Sequence, residues 1–353
     1  MINTIMSVKP VASKSMQKIK KSLFYFLFVC FISVTFVSCK PKQQSEFVLG
    51  TFCLIKVEYH KNAEAALKKA FERLYEIDGI FNANTDTSEL ADINKTAFKK
   101  PVKVSDELYS VLSTACEFAQ KTNSAFNPAM GKIIKLWNIG FDNASVPDDF
   151  QIKENLKYAV YQNIELKHGY VFLKDERTKI DLGAIVKGFA ADEVAKILRE
   201  EGIKNAIINL GGNVYAIGNK KTSGSKKTKW KIGIRSPFKK NADLAFVLTL
   251  ENQTVVTSGT YERFFESNGK KYHHILDSQT GYPVENNLVS VTIISDKSII
   301  ADALSTSCFA LGYEKSLDLL KGFSNTEAVF IFKDGSYKIT DEKLQIKIES
   351  KEN

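Results

Sequence analysis

The chain has 353 residues, 44% hydrophobic and 25% charged, a balance that supports a sizeable core in one large or two ordinary domains and excludes general disorder. The formal charge is +9, but the segment through Ser38 holds five lysines and no acid, so the rest carries 9 − 5 = +4. That modest charge argues against nucleic acid as a partner.

At the amino terminus, Lys18, Lys20 and Lys21 precede an apolar run from Leu23 to Val37 that is too short and wrongly flanked for an ordinary membrane span. The run ends in Phe36-Val37-Ser38-Cys39 and resembles a bacterial lipoprotein signal, in which small Ser38 admits the peptidase and the Cys39 thiol takes the lipid. The resemblance implies a signal peptide over residues 1–38, a lipidated tether over 39–46 and one domain over 47–353, held to a membrane on the extracytoplasmic, periplasmic side. An uncleaved signal anchor is the alternative, and translation from Met16 fits as well as from Met1. Cys30 leaves with the signal. Cys53, Cys116 and Cys308 remain, an odd set without CxxC spacing and flanked by apolar residues, expected as buried thiols with one disulfide as the alternative.

Lys40 to Ser45 reads as polar tether, and Phe47 to Tyr59 as a strand around Gly50-Thr51. Leu67, Phe71, Leu74, Asp78 and Phe81 fall on helical spacing, which predicts an amphipathic helix over Asn62–Phe81 with Asn62 as cap. NANTDTSELADIN then reads as a polar loop. Ser105 caps a second helix ending near Asn123. Ala125 to Gly140 combines a turn with an apolar segment whose Trp137 is expected in the core.

Asp181 to Arg199 reads as a strand end, a turn at Gly183 and a helix through Lys187, Phe189, Val194 and Leu198, a geometry that aims backbone N–H groups at an anion. Asn205–Leu210 is a short buried strand ending at Gly211-Gly212, where backbone can approach a ligand closely. Lysine-rich 220–229 is expected as a solvated hairpin tip, with a binding patch as the alternative. Further strands are expected over Trp230–Arg235, Ala245–Leu250, Val255–Thr257 and Leu288–Ile294, and a helix over Ser298–Leu311.

The stretch Thr257 to Val284 concentrates Arg263, His273, His274, Asp277 and glycine turns between two strand-like runs, which is site chemistry on loops. Asp302 and Thr306 follow, four residues apart on one helix face, so two hard oxygen donors point the same way and suggest magnesium.

Taken in order, LGT (Leu49 to Thr51), SELADIN (Ser88 to Asn94), AFNPAMGKIIKLW, DLGAIVKGFAADEV, NLGGNVYAIG, TSGTYERFF, HHILDSQTGYPV and VSVTIISDKSIIADALSTSCFALG resemble the ApbE family of FAD:protein FMN transferases. The resemblance covers Phe47 to Leu320. It implies an α+β fold, with mixed or antiparallel sheets flanked by helices, that binds FAD in a cleft with Mg²⁺ at its pyrophosphate. By position it places the metal on the Ala184 carbonyl, the Asp302 carboxylate and the Thr306 hydroxyl. Carried-over FAD contacts are Leu49, Asn84, Ala125, Phe126, Asn127, Asp181, Lys187, His274, Ile275 and Leu276. Lys187 would neutralise a phosphate oxygen one turn into its helix.

His274 is the favoured proton acceptor, with a buried core histidine as the alternative, and Asp302 is the second catalytic candidate. Asp277 orients that imidazole or caps the next turn. The implied reaction moves FMN from FAD to a Thr or Ser of another protein and releases AMP. The implied acceptors are flavin-carrying subunits of sodium-translocating NADH:quinone reductase or Rnf-type complexes.

The chain departs from the commonest family pattern. Leu49 stands in place of Met, Asn127 and Ala129 in place of Asp and Thr, and Ser278 in place of Pro. Asn84 stands where an aromatic residue is common and leaves room for water, so FAD hydrolysis to FMN and AMP is the second reading. A flavin-binding lipoprotein without turnover is the third. Asp302, Thr306 and His274 argue against it.

Overall fold

The computed structural model describes residues 41–221, 227–238, 244–341 and 346–348. The expected signal peptide and Cys39 lie outside the described residues. No helix among those described is long and apolar enough to cross a membrane.

The elements in chain order are β1 (Lys42–Val48), β2 (Thr51–Val57), α1 (Ala63–Phe81), α2 (Glu89–Thr96), β3 (Val102–Lys103), α3 (Asp106–Lys121), α4 (Gly131–Trp137) and α5 (Asp149–Leu156). There follow β4 (Ile164–Lys167), β5 (Tyr170–Leu173), α6 (Val186–Glu200), β6 (Ala206–Leu210), β7 (Asn213–Ile217), β8 (Lys220–Lys221), β9 (Lys227–Thr228), β10 (Trp230–Arg235) and β11 (Leu244–Leu250). The rest are β12 (Gln253–Gly259), β13 (Phe264–Ser267), β14 (Lys270–His273), β15 (Leu288–Ser295), α7 (Ser298–Leu311), α8 (Tyr313–Leu320), β16 (Glu327–Phe332), β17 (Tyr337–Ile339) and β18 (Ile346–Ile348).

Eight strands form one sheet in the order β1-β2-β6-β7-β12-β15-β16-β17, and every pairing in it is antiparallel. Helices α1, α6 and α7 cover one face through Leu74, Ile77, Val194, Leu198, Leu304 and Phe309, which share the main core with Ile55, Ile208 and Val291. The other face packs on the smaller β10-β11-β18 sheet, through Trp230, Phe246 and Leu248 against Val255, Ile294 and Ile331. Strand β15 lies between the layers and is buried at all eight positions, which suits its unbroken run of β-branched, apolar and small residues. The fold is therefore α+β, as the family resemblance implies.

Several expectations change at element level. Lys42 to Ser45, read as tether, is the outer strand β1, paired residue by residue with β2. An edge strand has solvent on one side and tolerates such polar residues. The supposed loop after Asn82 contains α2, capped by the Ser88 hydroxyl, which accepts from Ala91 N at 3.0 Å. The segment before Gly183 is irregular apart from one bridge between Lys179 and Met130. Within the Thr257–Val284 stretch, β13 and β14 make a hairpin over Asn268-Gly269. Asn62 precedes α1 but makes no side-chain cap bond, whereas Ser105 caps α3 at 3.2 Å from Leu108 N. Cys53, Cys116 and Cys308 are free thiols, each pushed up to about 12 by burial.

Candidate active site

Helices α6 and α7 form the rigid side of the site. Gly188 makes their close approach possible, because a Cβ there would sit 2.3 Å from the Ser298 carbonyl oxygen and 2.7 Å from Asp302 Cβ. Asp192, one turn further along α6, caps α7 with both carboxylate oxygens, accepting from Ser298 N and Ile299 N at 2.9 Å each. Burial raises that carboxyl to about 6.

Asp302 is buried between these helices, with Oδ2 accepting from Gly188 N at 2.8 Å and Oδ1 3.9 Å from Lys187 Nζ. Burial raises its pKa, opposed by the Lys187 ammonium and the Gly188 N–H. Lys187 Nζ also donates to the Gly183 carbonyl at 3.0 Å, so one cation sits between the 183–185 turn and the Asp302 carboxylate. Thr306 is the one residue of the 301–309 run that is not fully buried, and its hydroxyl lies 3.3 Å from Ser258 Oγ.

No group of three or more His, Cys, Asp or Glu among the described residues could hold a metal. A cation here would rest on one carboxylate and neutral oxygens. Such a set fits magnesium, which keeps phosphate and water ligands. The observation in favour is a buried carboxylate compensated only by one N–H and a lysine at 3.9 Å.

The opposite side is built by turns. Leu49 and Gly50 close the β1–β2 hairpin with φ of 55° and 64°, the left-handed pair of a type I′ turn. Gly211 lies beneath it, where any Cβ would meet Thr51 Oγ1 at 2.2 Å. Arg263 Nη2 donates to the Gly50 carbonyl at 3.1 Å. The Arg263 carbonyl accepts from His274 N at 3.1 Å and lies 3.2 Å from His274 Nδ1. A carbonyl only accepts, so Nδ1 carries the proton. Desolvation, with the Arg263 guanidinium beside it, pushes His274 down to about 3; the neutral ring therefore leaves Nε2 as an acceptor.

His273, next along, has the opposite tautomer. Its Nε2 faces the Val284 carbonyl at 3.1 Å, its Nδ1 is buried without a partner, and burial takes it down to about 4. Asp277 accepts from Gln279 N at 2.7 Å and caps its own turn, which settles that alternative.

Further bonds stitch the remaining expected residues together. Ser278 Oγ donates to the Ser124 carbonyl at 2.6 Å, and Asp181 N to the Pro128 carbonyl at 2.9 Å. The 124–128 segment thereby joins the His274 loop to the Gly183 turn. Half-buried Asp181 caps that turn through Gly183 N at 2.8 Å, and burial raises its pKa against Gly183, Lys187 and Arg263.

Ala125 is half-buried, and the side chain of Asn127 is committed to Ala159 O and Ala129 N. The Phe126 ring points into the core against Phe118. Ile275 is buried, while Leu276 is half-buried and bridges Pro283. These contacts do not tie in Asn84, which is exposed on the loop between α1 and α2. Beneath the loop, Trp137 Nε1 donates to the Gly281 carbonyl at 2.7 Å and the buried ring anchors a satellite core.

Sequence reasoning missed three contributors. Asn94 clamps the chain before the site by accepting from Ile180 N at 2.7 Å and donating to Ile180 O at 2.9 Å. Asp192 was visible within DLGAIVKGFAADEV as an acid one turn beyond Gly188. Glu262 is half-buried, 3.5 Å from Arg235, with its pKa raised by burial and opposed by Arg235, Lys187 and Arg263.

Fold and site together define an α+β protein in which a lysine and a buried carboxylate on paired helices share a site with a neutral histidine on a loop. Compared with known families, residues 49–330 match the ApbE family, and the chain belongs to it. It is 41% identical over 305 residues to the FAD:protein FMN transferase of Treponema pallidum, covering 82% of this chain and 84% of that protein. It is 38% identical over 292 residues to one from Klebsiella pneumoniae, covering 82% and 89%. The crystal structure of the ApbE protein from Thermotoga maritima superposes with a TM-score of 0.76 at 32% identity, over 84% of this chain and 96% of that one.

Proposed function

We propose that this enzyme transfers FMN from FAD to a Thr or Ser hydroxyl of a target flavoprotein. The observation that carries the reading is the Lys187 ammonium between the Gly183 carbonyl and the buried Asp302 carboxylate, a cation locus opposite a histidine with a free Nε2. Names of relatives at 41% and 38% identity support flavin transfer.

In this reading the FAD pyrophosphate lies against Lys187 and the first turn of α6. Magnesium, held by Ala184 O, Asp302 and Thr306, would withdraw charge from the phosphates. The acceptor oxygen forms a bond to the FMN-side phosphorus as its proton passes to His274 Nε2. The bond to the bridging oxygen breaks, and AMP leaves with that electron pair. The protein supplies mostly positioning and charge balance.

The small Asn84, standing where an aromatic residue is common in the family, supports FAD hydrolysis as a second reaction when no acceptor is docked. Its replacement by Tyr is expected to suppress hydrolysis more than transfer; equal losses would remove it. The sequence of Lys18 to Cys39 supports export and lipid attachment at Cys39, which would hold the enzyme at the membrane where flavin-carrying subunits of sodium-translocating NADH:quinone reductase or Rnf-type complexes reside. Membrane partition of Cys39→Ala unchanged from wild type would contradict that placement.

The direct test incubates the protein with FAD, Mg²⁺ and such a subunit and weighs the products. The expected adduct equals FMN less water, with one AMP per adduct. Free FMN with no adduct would replace transfer by hydrolysis.

A further inference from the structure

Arg263 touches three separate pieces of the site. Its guanidinium donates to Gly50 O at the β1–β2 tip. Its stem lies over the 140 turn, where a Cβ on Gly140 would meet Arg263 Cδ at 3.3 Å. Its carbonyl receives both the backbone and the ring of His274. Residues 50 and 263 are 213 apart in sequence, so this is a long-range tie rather than a local turn.

We infer that Arg263 is a positioning residue for FMN transfer: its side chain latches the Leu49–Gly50 tip to the His274 loop, and the latched backbone fixes which ring nitrogen of His274 is free. The inference rests on the reading of His274 as the proton acceptor. Two sets of facts support it.

The first is geometric. The His274 ring is held by one backbone oxygen, so the ring's orientation is only as fixed as the peptide that carries that oxygen. The segment from Thr260 to Arg263 is turn and bend before β13 begins, and the guanidinium bond to Gly50 ties its last residue to the main sheet through β1 and β2. A planar fork loses less freedom per bond than an ammonium would in the same role.

The second is electrostatic. Arg263 is the foremost charge acting on His274, followed by Lys187, with His273 as a further neighbour. Burial and these charges keep the resting ring singly protonated, so that Nε2 carries no proton when the acceptor hydroxyl arrives. Arg263 also opposes the burial-raised carboxyls of Asp181 and Glu262, so its charge is shared across the site without contacting the α6–α7 cation locus.

An imidazole without a fixed partner favours the Nε2–H form in water, the reverse of the form this carbonyl imposes. Releasing the latch therefore has a signature that ordinary destabilisation lacks. The test uses the full chain with labelled histidine and no ligand. Wild type is expected to give a His274 ring ¹⁵N pattern of a single Nδ1–H form at neutral pH. Arg263→Ala is expected to shift at least half the population to Nε2–H and to speed amide exchange several-fold at Gly50 to Phe52, while the β13–β14 amides stay unchanged.

Arg263→Lys keeps stem and charge without the fork. It is expected to fall between the two and carries the same readouts if the alanine variant fails to fold. In turnover, both variants are expected to lower kcat more than they raise KM for FAD. Either ligand-free readout unmoved overturns the inference. Failure of wild type to flavinylate any acceptor would instead defeat the functional reading, and the ring and exchange data would still judge the latch.

Discussion

The two sides of the site are held by different physics. The α6–α7 side is fixed by helix packing: Gly188 admits α7, Asp192 caps it, and Asp302 is buried where they meet. The loop side, from Thr257 to Val284, is fixed by individual bonds among turns, such as Trp137 to Gly281 and Ser278 to Ser124. The cation site proposed there needs oxygens that do not move, and packing supplies them. A site that must admit a dinucleotide and an acceptor needs loops that can open, and single bonds permit that.

If packing defines the first side, the largest effect follows from Gly188→Ala. The added methyl meets backbone of a neighbouring helix, and an overpacked helix contact costs about 3 kcal/mol. Urea unfolding is expected to show that loss together with loss of turnover. A stable, active variant would mean that the helices separate freely.

The loop side is better probed by pH. His273 is held neutral, with a pKa of about 4 against 6.5 when unfolded, so the unfolded chain takes up its proton first as pH falls. This contribution is present above 6.5 and lost down to 4, about 2 kcal/mol between pH 7 and pH 5. His273→Gln is expected to lose that much less than wild type over the same interval. Buried Asp192, with its raised pKa, works in the other direction and cancels in the difference. Identical slopes would show that His273 is not buried in solution.

Asn94→Ala removes both bonds to Ile180 and is expected to cost about 2 kcal/mol, read as a lower urea midpoint, with the Mg²⁺ requirement unchanged. Smallest is Thr306→Val, which keeps the shape and removes one neutral oxygen. A roughly tenfold rise in the Mg²⁺ needed for half activity is expected at unchanged FAD affinity. An unchanged Mg²⁺ requirement would take Thr306 out of the proposed cation locus.

The packed side was also the more legible in sequence. Helix α7 is legible at its observed limits, Ser298 to Leu311, because nearly every residue is apolar or small. Asp302 and Thr306, four residues apart by helical spacing, do lie on that helix, the first buried and the second half-buried. On the other side, Asn268-Gly269 was a hairpin signal between FFES and KKYH that the surrounding charge obscured. Helix α2 was hidden by polar residues around Leu90 and Ile93, although Ser88 stood at its cap. The Arg263–Gly50 bond had no local signal, since contact across 213 residues is set by topology and not by spacing. The family resemblance supplied the list of flavin contacts. The structure ties most of them together through backbone and turn bonds, and it sends the Phe126 ring into the core.

The division of labour itself is tested by the Mg²⁺ dependence of FMN transfer, measured side by side for Asp302→Asn and His274→Gln. Asp302→Asn is expected to lose at least ~100-fold in rate at limiting Mg²⁺, with FAD binding nearly intact. His274→Gln is expected to lose rate by a similar order at every Mg²⁺ concentration, with wild-type half-saturation. The opposite pattern, a Mg²⁺ half-saturation moved by His274→Gln and left in place by Asp302→Asn, would contradict the assignment of the cation to the helices and of the proton to the loop.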